Sequence, residues 1–282
     1  MERRIDIRTL LARHGLHPKR SWSQNFLISA GALQRIADAA QVRDEPVVEL
    51  GAGPGTLTAA LAAVSPRVLA VERDRDFARL LRAEFSLSSN VEVLEANAAR
   101  LDWSQLQKRL GGPCVVVGNL PYHMATPILF SLLESGGAVR RAVLMLQREM
   151  AERLAASPGS RACGASSVML QMRADVEELF DVPPGSFYPA PKVHSRVVQI
   201  RPLVAPRHPV RDPALFGRMV RTAFSSRRKT LSNALRAFFG APSREPGERV
   251  LQRAGIDPAR RPETLTLEEW ARLSDAAGAE AQ

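Results

Sequence analysis

Short apolar runs alternate with amphipathic stretches through the first two thirds of the chain. "PVVELGAGPG" (46–55), "RVLAVERD" (67–74), "VEVLEANA" (91–98) and "CVVVGNLPY" (114–122) each hold a brief hydrophobic run bounded by glycine, proline or acid. Runs of that length and composition predict buried strands. Between them the period lengthens. "SAGALQRIADAAQ" (29–41) places Leu33, Ile36, Ala37 and Ala40 on one helical face behind Ser29 as a helix cap. Segments 56–64, 75–85 and 101–110 also read as helices. The alternation continues with a helix over 126–134, a strand over 141–147 and a helix over 148–156. Segments 166–180 and 194–202 read as two further strands with no helix between them, hence an antiparallel edge. The pattern predicts an α/β fold: a largely parallel sheet with helices on both faces and right-handed connections.

Past residue 202 the pattern changes. A proline-dense, basic stretch over 202–213 reads as a linker. "PALFGRMVRTAFSSRRKTLSNALRAFF", "PGERVLQRAGI" and "TLEEWARLSDA" then have only helical periodicity. Two domains are expected, 1–202 and a small helical domain 203–282, with 277–282 frayed at the end.

Composition changes this picture little and charge changes it more. With 45% hydrophobic and 24% charged residues, the 282-residue chain can build an ordinary core. Cys114 and Cys163 form neither a disulfide framework nor a metal spacing and read as buried thiols in a reducing cytosol. No stretch is long and apolar enough to span a bilayer, and the amino terminus lacks the features of a signal peptide. A cytoplasmic location with no membrane attachment is expected. The formal net charge of +10 calls for a polyanionic partner, nucleic acid before an anionic membrane surface. Lys19 and Arg20, and Arg227, Arg228 and Lys229 in "SSRRK", concentrate that charge.

Two turns carry candidate chemistry. "ELGAGPGTLT" sets Gly51, Gly53 and Gly55 between a strand and a helix, where backbone can approach a ligand closely. Glu72 ends the next strand roughly 20 residues later, the place from which an acid binds ribose hydroxyls in doubly wound folds. A dinucleotide and S-adenosylmethionine compete for this loop, and the G-x-G-x-G spacing modestly favours S-adenosylmethionine. The second turn, "GNLPY", puts Asn119, Leu120, Pro121 and Tyr122 at the carboxyl end of a core strand. An amide and backbone carbonyls beneath an aromatic ring suit the amino group of a flipped-out adenine.

"SQNFL" (23–27), "ELGAGPGTLT", "VERD", "GNLPY", "LMLQREMAERL", "FYPAPKVHS" (187–195) and "AFSSRRKTLSNAL" (223–235) occur in order. As an ordered set they resemble the ribosomal RNA adenine dimethyltransferases of the KsgA/RsmA type, from about residue 18 to about 273. The resemblance implies a Rossmann-like class I methyltransferase sheet with a small helical domain. It implies methyl transfer from S-adenosylmethionine to N6 of two adjacent adenosines near the 3′ end of small-subunit rRNA, in an immature small subunit. Asn25, Leu27, Gly51, Glu72, Asn97 and Asn119 would contact the cofactor or line its pocket, along with Gly53 and Ala98 beside them. Asn119, with the carbonyls of Leu120 and Pro121, would face the reacting amine, and Tyr122 and Phe187 would flank the target base. Lys19, Arg20, Arg227, Arg228 and Lys229 would contact RNA phosphates. No metal is implied, and a monomer is expected.

The chain departs from the family pattern at three places. Asn97 stands where the family usually has Asp, Ser23 where it commonly has Gly, and His123-Met124-Ala125 where small polar residues are more usual. Weaker cofactor binding is expected from Asn97. Three rivals remain: an Erm-type methyltransferase of large-subunit rRNA, a non-catalytic assembly or transcription factor on the same fold, and an NAD-dependent oxidoreductase.

Overall fold

The computed structural model describes residues 6–19, 22, 24–121, 124–226 and 228–280. The chain forms two compact units, one of residues 1–151 with 175–202, the other of residues 152–174 with 203–282.

In the first unit, α1 (Ile7–Arg13) precedes the two-residue strand β1 (Phe26–Leu27) and α2 (Ala30–Ala40). The alternation then runs β2 (Val47–Leu50), α3 (Thr56–Ala62), β3 (Val68–Glu72), α4 (Arg75–Glu84), β4 (Val91–Glu95), α5 (Trp103–Leu110), β5 (Cys114–Asn119), α6 (Ala125–Leu133), β6 (Val139–Gln147) and α7 (Arg148–Ala155). Ser29 caps α2 as expected, its hydroxyl accepting the Ala32 N–H at 3.4 Å. The helix ends at Gln41 in a left-handed conformation, and the Arg141 guanidinium donates to the freed carbonyls of Ala40 and Gln41.

Next come α8 (Ala165–Gln171), β7 (Ala174–Val182), β8 (Phe187–Tyr188) and β9 (Ser195–Pro202). Seven strands form one sheet in the order β4-β3-β2-β5-β6-β9-β7, while β1 and β8 pair separately. Strands β4 to β6 run parallel, and β9 lies antiparallel to β6. The valines of β2 and β5 are wholly buried, so the central strands read as apolar runs rather than alternations.

One segment differs from its expected form. Residues 166–180 read as a single strand, yet the first part is helix α8. Its start is fixed by Ser167, whose hydroxyl accepts the Gly164 N–H at 2.9 Å. Val168 and Met172 then lie one turn apart and are both buried in a helical cluster. That packing also moves the domain boundary. The sequence pattern places residues 152–174 in the first domain, but Cys163, Val168 and Met172 are buried with Phe216, Met219 and Trp270, so the segment belongs to the second unit.

The second unit completes itself with α9 (Pro213–Phe224), α10 (Leu231–Phe239), α11 (Glu245–Ala254) and α12 (Leu267–Glu280). The expected fraying from 277 is not seen in the described residues. Ala277 is fully buried, and Glu280 pairs with Arg249 and Arg253 at 2.7 and 3.0 Å. This unit holds 17 Lys+Arg against 10 Asp+Glu, a net +7 of the chain's +10. Both cysteines are buried free thiols, and burial pushes Cys114 up to about 12. Among the described residues no helix is long and apolar enough to cross a membrane.

Candidate active site

The strand order reverses between β2 and β5, one leading outward to β3 and the other to β6. At such a switch point the loops after the two strands part and leave a crevice at their carboxyl ends. A cavity of about 270 Å³ sits there. Its wall includes Gly51 and Gly53 after β2, Glu72 at the end of β3, Asn97 and Ala98 after β4, and Asn119, Leu120 and Pro121 at the end of β5. Asn25 lines it from the amino-terminal segment. The strands thus gather into one wall residues that lie far apart in sequence.

The glycines divide the work. Gly51 sits at φ +73°, a left-handed conformation that a side chain disfavours, and a Cβ there would lie 3.7 Å from the Asn119 carbonyl oxygen. Gly55, at φ +90°, serves packing instead. A Cβ would come within 2.7 Å of Phe85 and 2.9 Å of Leu81 of α4.

At one end of the cavity, Glu72 is only 8% exposed. Its Oε2 accepts the Gly53 N–H at 2.8 Å and its Oε1 the Asp74 N–H at 2.8 Å. Burial raises its pKa, opposed by the hydrogen bonds from the backbone N–H groups of Asp74, Gly53 and Arg73. The two oxygens accept these backbone N–H groups and keep acceptor capacity for hydroxyls, which is the donor–acceptor match a ribose diol needs. Next to it the Ala96 N–H donates to the Glu72 carbonyl at 3.0 Å. Asn97 caps the short helical turn Ala98–Arg100, its Oδ1 accepting from the Ala99 N–H at 3.1 Å. This end fits the nucleoside of S-adenosylmethionine: Glu72 for the ribose, Asn97 and the Ala98 backbone for the adenine edge.

At the other end, the Asn119 Nδ2 donates to the Asn25 carbonyl at 2.8 Å. That bond settles which way the amide faces: nitrogen toward Asn25, leaving Oδ1 as the acceptor. Gly51 and the exit of β5 adjoin here, and Met124 closes the wall with its N–H on the Pro121 carbonyl at 2.8 Å.

Three expected site residues stand elsewhere. Leu27 and Phe187 are 2% and 4% exposed, pair with each other across β1 and β8, and pack in the hydrophobic core outside the cavity wall. Lys19 is committed to the protein itself. Its Nζ bonds both oxygens of Asp74 at 3.0 and 2.8 Å and Asp76 at 3.2 Å. The Asp74 hydrogen bond holds Lys19 above its ordinary pKa. Arg228 and Lys229 are exposed in the second unit. Arg20, Tyr122 and Arg227, like Ser23 and His123, lie outside the described residues.

Other residues join the site without having been singled out for it. Trp22, Gln24, Arg73, Met124 and Ile128 line the cavity. Gln24 donates to Asp74 at 3.2 Å and accepts the Lys19 N–H at 2.7 Å, which ties the amino-terminal segment to the turn after β3. Behind the glycine loop, Glu49 is 1% exposed and accepts the Thr58 hydroxyl at 2.5 Å. Burial pushes its pKa up to about 8. No spacing flags these residues; only their proximity in the folded chain does.

A sheet of this order with a buried acid at the end of β3 and an amide at the end of β5, both on one cavity wall, is that of a class I methyltransferase. Residues 15–276 match the family Ribosomal RNA adenine dimethylase. The chain is 52% identical to Ribosomal RNA small subunit methyltransferase A of Anaeromyxobacter dehalogenans, over 96% of this chain and 97% of the relative. It is 47% identical to the protein of that name in Myxococcus xanthus, over 96% and 95%. Among solved structures, the 23S rRNA methyltransferase ErmE superposes with a TM-score of 0.65 at 27% identity, covering 90% of this chain and 100% of that one. A dimethyladenosine transferase from Plasmodium falciparum gives 0.72 at 23% identity, covering 88% and 95%. The chain belongs to the ribosomal RNA adenine dimethylase family, enzymes that use S-adenosylmethionine.

Proposed function

We propose that this enzyme dimethylates N6 of two adjacent adenosines near the 3′ end of small-subunit rRNA, acting as a cytoplasmic monomer on an immature small subunit. The observation that carries the chemistry is the fixed Asn119 amide, with Oδ1 presented at the end of β5. Identity carries the choice of subunit: the relatives at 47–52% are named for the small subunit, whereas the large-subunit enzyme ErmE stands at 27%.

S-adenosylmethionine supplies an activated methyl on a sulfonium. The protein supplies position. An adenine amine is a poor nucleophile because its lone pair is delocalised into the ring. Asn119 Oδ1 and the neighbouring carbonyls accept its N–H bonds and favour a pyramidal nitrogen. Held in line, the two reactants gain the advantage of proximity. The product ammonium is acidic and loses its proton to water, so this end of the site needs no strong base. Arg228 and Lys229 contribute phosphate contacts, which add affinity more than sequence choice.

The test uses labelled S-adenosylmethionine with small subunits and large subunits that lack adenine dimethylation. Transfer is expected to approach four methyl groups per small subunit and none per large subunit. Transfer to the large subunit alone would establish the Erm-type reading, and transfer to neither the non-catalytic one.

A further inference from the structure

The cavity occupies one side of the reacting end. Its wall takes residues at or after the ends of β2, β3, β4 and β5, from α6 and from the amino-terminal segment, and none of the described residues of β6 or β9. In-line transfer sets donor and acceptor on opposite sides of the moving methyl. A base facing Asn119 therefore enters over the β6–β9 side of the sheet. The strand register shows what stands there. Asn119 pairs with Met145 of β6, and two residues further on Gln147 pairs with Ser195, the first residue of β9. At ~4.8 Å between strands and ~3.3 Å per residue, the Ser195 Cα lies about 12 Å from the Asn119 Cα. Residues 189–194 of "FYPAPKVHS" arch from β8 to this point. Both feet of the arch are tied to the reacting end. Phe187 and Tyr188 pair with Leu27 and Phe26, next in sequence to Asn25, whose carbonyl takes the Asn119 amide. The His194 carbonyl accepts the Arg148 N–H at 3.0 Å, one residue past β6. Pro189 and Pro191 restrict φ and stiffen the span. On it Lys192 is exposed, beside Val193 at 43% exposure. Among the described residues Lys192 makes no ion pair. Asp181, the acid that feels both Arg148 and His194, is claimed by Arg196 through bonds at 2.5 and 3.0 Å, which hold its carboxyl below the ordinary value.

We propose that Lys192 is a substrate-binding residue: its ammonium holds a backbone phosphate of the rRNA strand at the target adenosine, on the side of Asn119 opposite the cofactor. The inference rests on the small-subunit rRNA reading above and adds to it a contact carried by the first unit, where Arg228 and Lys229 belong to the second. A base turned out of its stack leaves its own phosphates at the mouth of the site, so a cation is needed there. Two adjacent adenosines are to be methylated, and the strand must advance by one nucleotide between them. A compact charge on a flexible stem can follow that step, while the stiff arch beneath keeps its base fixed.

Steady-state methyl transfer to small subunits lacking adenine dimethylation, run with the full-length chain from about 50 to 200 mM salt, tests this. Lys192→Ala is expected to lower kcat/KM about 3- to 10-fold at the low-salt end. Its salt dependence should become shallower by one phosphate contact, roughly 0.7 to 0.9 in logarithmic slope. S-adenosylhomocysteine affinity by calorimetry and the melting temperature should match wild type, because Lys192 lies outside the cofactor cavity. Lys192→Arg keeps the charge and is expected to recover most of kcat/KM and the wild-type salt slope. A wild-type chain that transfers nothing to small subunits would overturn the substrate reading itself. Wild-type transfer with Lys192→Ala unchanged would overturn the Lys192 proposal and leave that reading standing. A Lys192→Ala chain that lost kcat/KM at the wild-type salt slope would overturn the proposal too, since the loss would then come from structure and not from a phosphate.

Discussion

The two ends of the cavity are built on opposite principles. The nucleoside end is organised around carboxyl groups: buried Glu72, held by the backbone N–H groups of Gly53 and Asp74 and tied through Asp74 to Lys19 and Gln24. The reacting end is organised by a neutral amide, Asn119, held by one backbone carbonyl. The difference follows from what each end must do. Hydroxyls are recognised well by an ionised acceptor, because charge-assisted hydrogen bonds are roughly twice as strong as neutral ones. An amine about to become cationic needs acceptors placed in advance rather than a base that also binds the ground state tightly. Affinity should therefore live at one end and rate at the other.

The largest effect that would break this division is in the rate. Asn119→Ala removes the acceptor at the reacting amine and is expected to lower kcat by about 100-fold or more, by analogy with the loss of one preorganised transition-state partner. S-adenosylhomocysteine affinity, measured by calorimetry, should stay within about 3-fold. Glu72→Gln is expected to do the reverse, weakening S-adenosylhomocysteine by roughly 10- to 100-fold through loss of charge-assisted bonds, with kcat at saturating cofactor much less affected. If both variants lost both quantities equally, the two ends would be one unit.

A smaller effect sharpens the charge argument. Asn97 already uses its Oδ1 as a cap for the Ala99 N–H. Asn97→Asp keeps that cap and adds a charged acceptor, so S-adenosylmethionine should bind about 5-fold more tightly, an energy of roughly 1 kcal/mol. An unchanged dissociation constant would show that the amide serves as well as the acid.

The smallest effect is on stability. Glu49, with its pKa raised from 4.5 to about 8 by burial, binds a proton more tightly folded than unfolded. Its contribution is therefore fully present below about pH 4.5 and is lost as pH rises to about 8. Across pH 5 to 9, the melting temperature of Glu49→Gln should rise relative to wild type by about 3 °C or more, equivalent to roughly 1 kcal/mol in a chain of this size. A constant offset between the two curves would place the titrating group elsewhere.

The parallel part of the fold was legible because buried strands and amphipathic helices differ in period, and the order of Gly51, Glu72, Asn97 and Asn119 along the strands followed from it. Segment 166–171 was not. "SSVMLQ" is too short for periodicity to separate strand from helix, and the deciding bond runs from a backbone N–H to the Ser167 hydroxyl. The same limit hid the second-unit membership of 152–174, which depends on what Val168 and Met172 meet. In the cavity wall, the placement of strand-end residues such as Glu72 and Asn119 was readable. Phe187 was read as a base-stacking ring because its motif carries an aromatic, but pairing with Leu27 buries it. Lys19 was read as a phosphate contact because it is basic, but Asp74 and Asp76 claim its charge. Local sequence gives chemical type; only the tertiary partner decides whether that chemistry faces inward or outward.

The most direct test of the neutral reacting end is the pH dependence of single-turnover methyl transfer with saturating S-adenosylmethionine and small-subunit substrate. Running Glu49→Gln in parallel removes the buried carboxyl that titrates in the same window. Both proteins are predicted to show a rate independent of pH from about 6.5 to 9. A limb rising tenfold per pH unit, retained in Glu49→Gln, would reveal a general base at the reacting end and contradict the account.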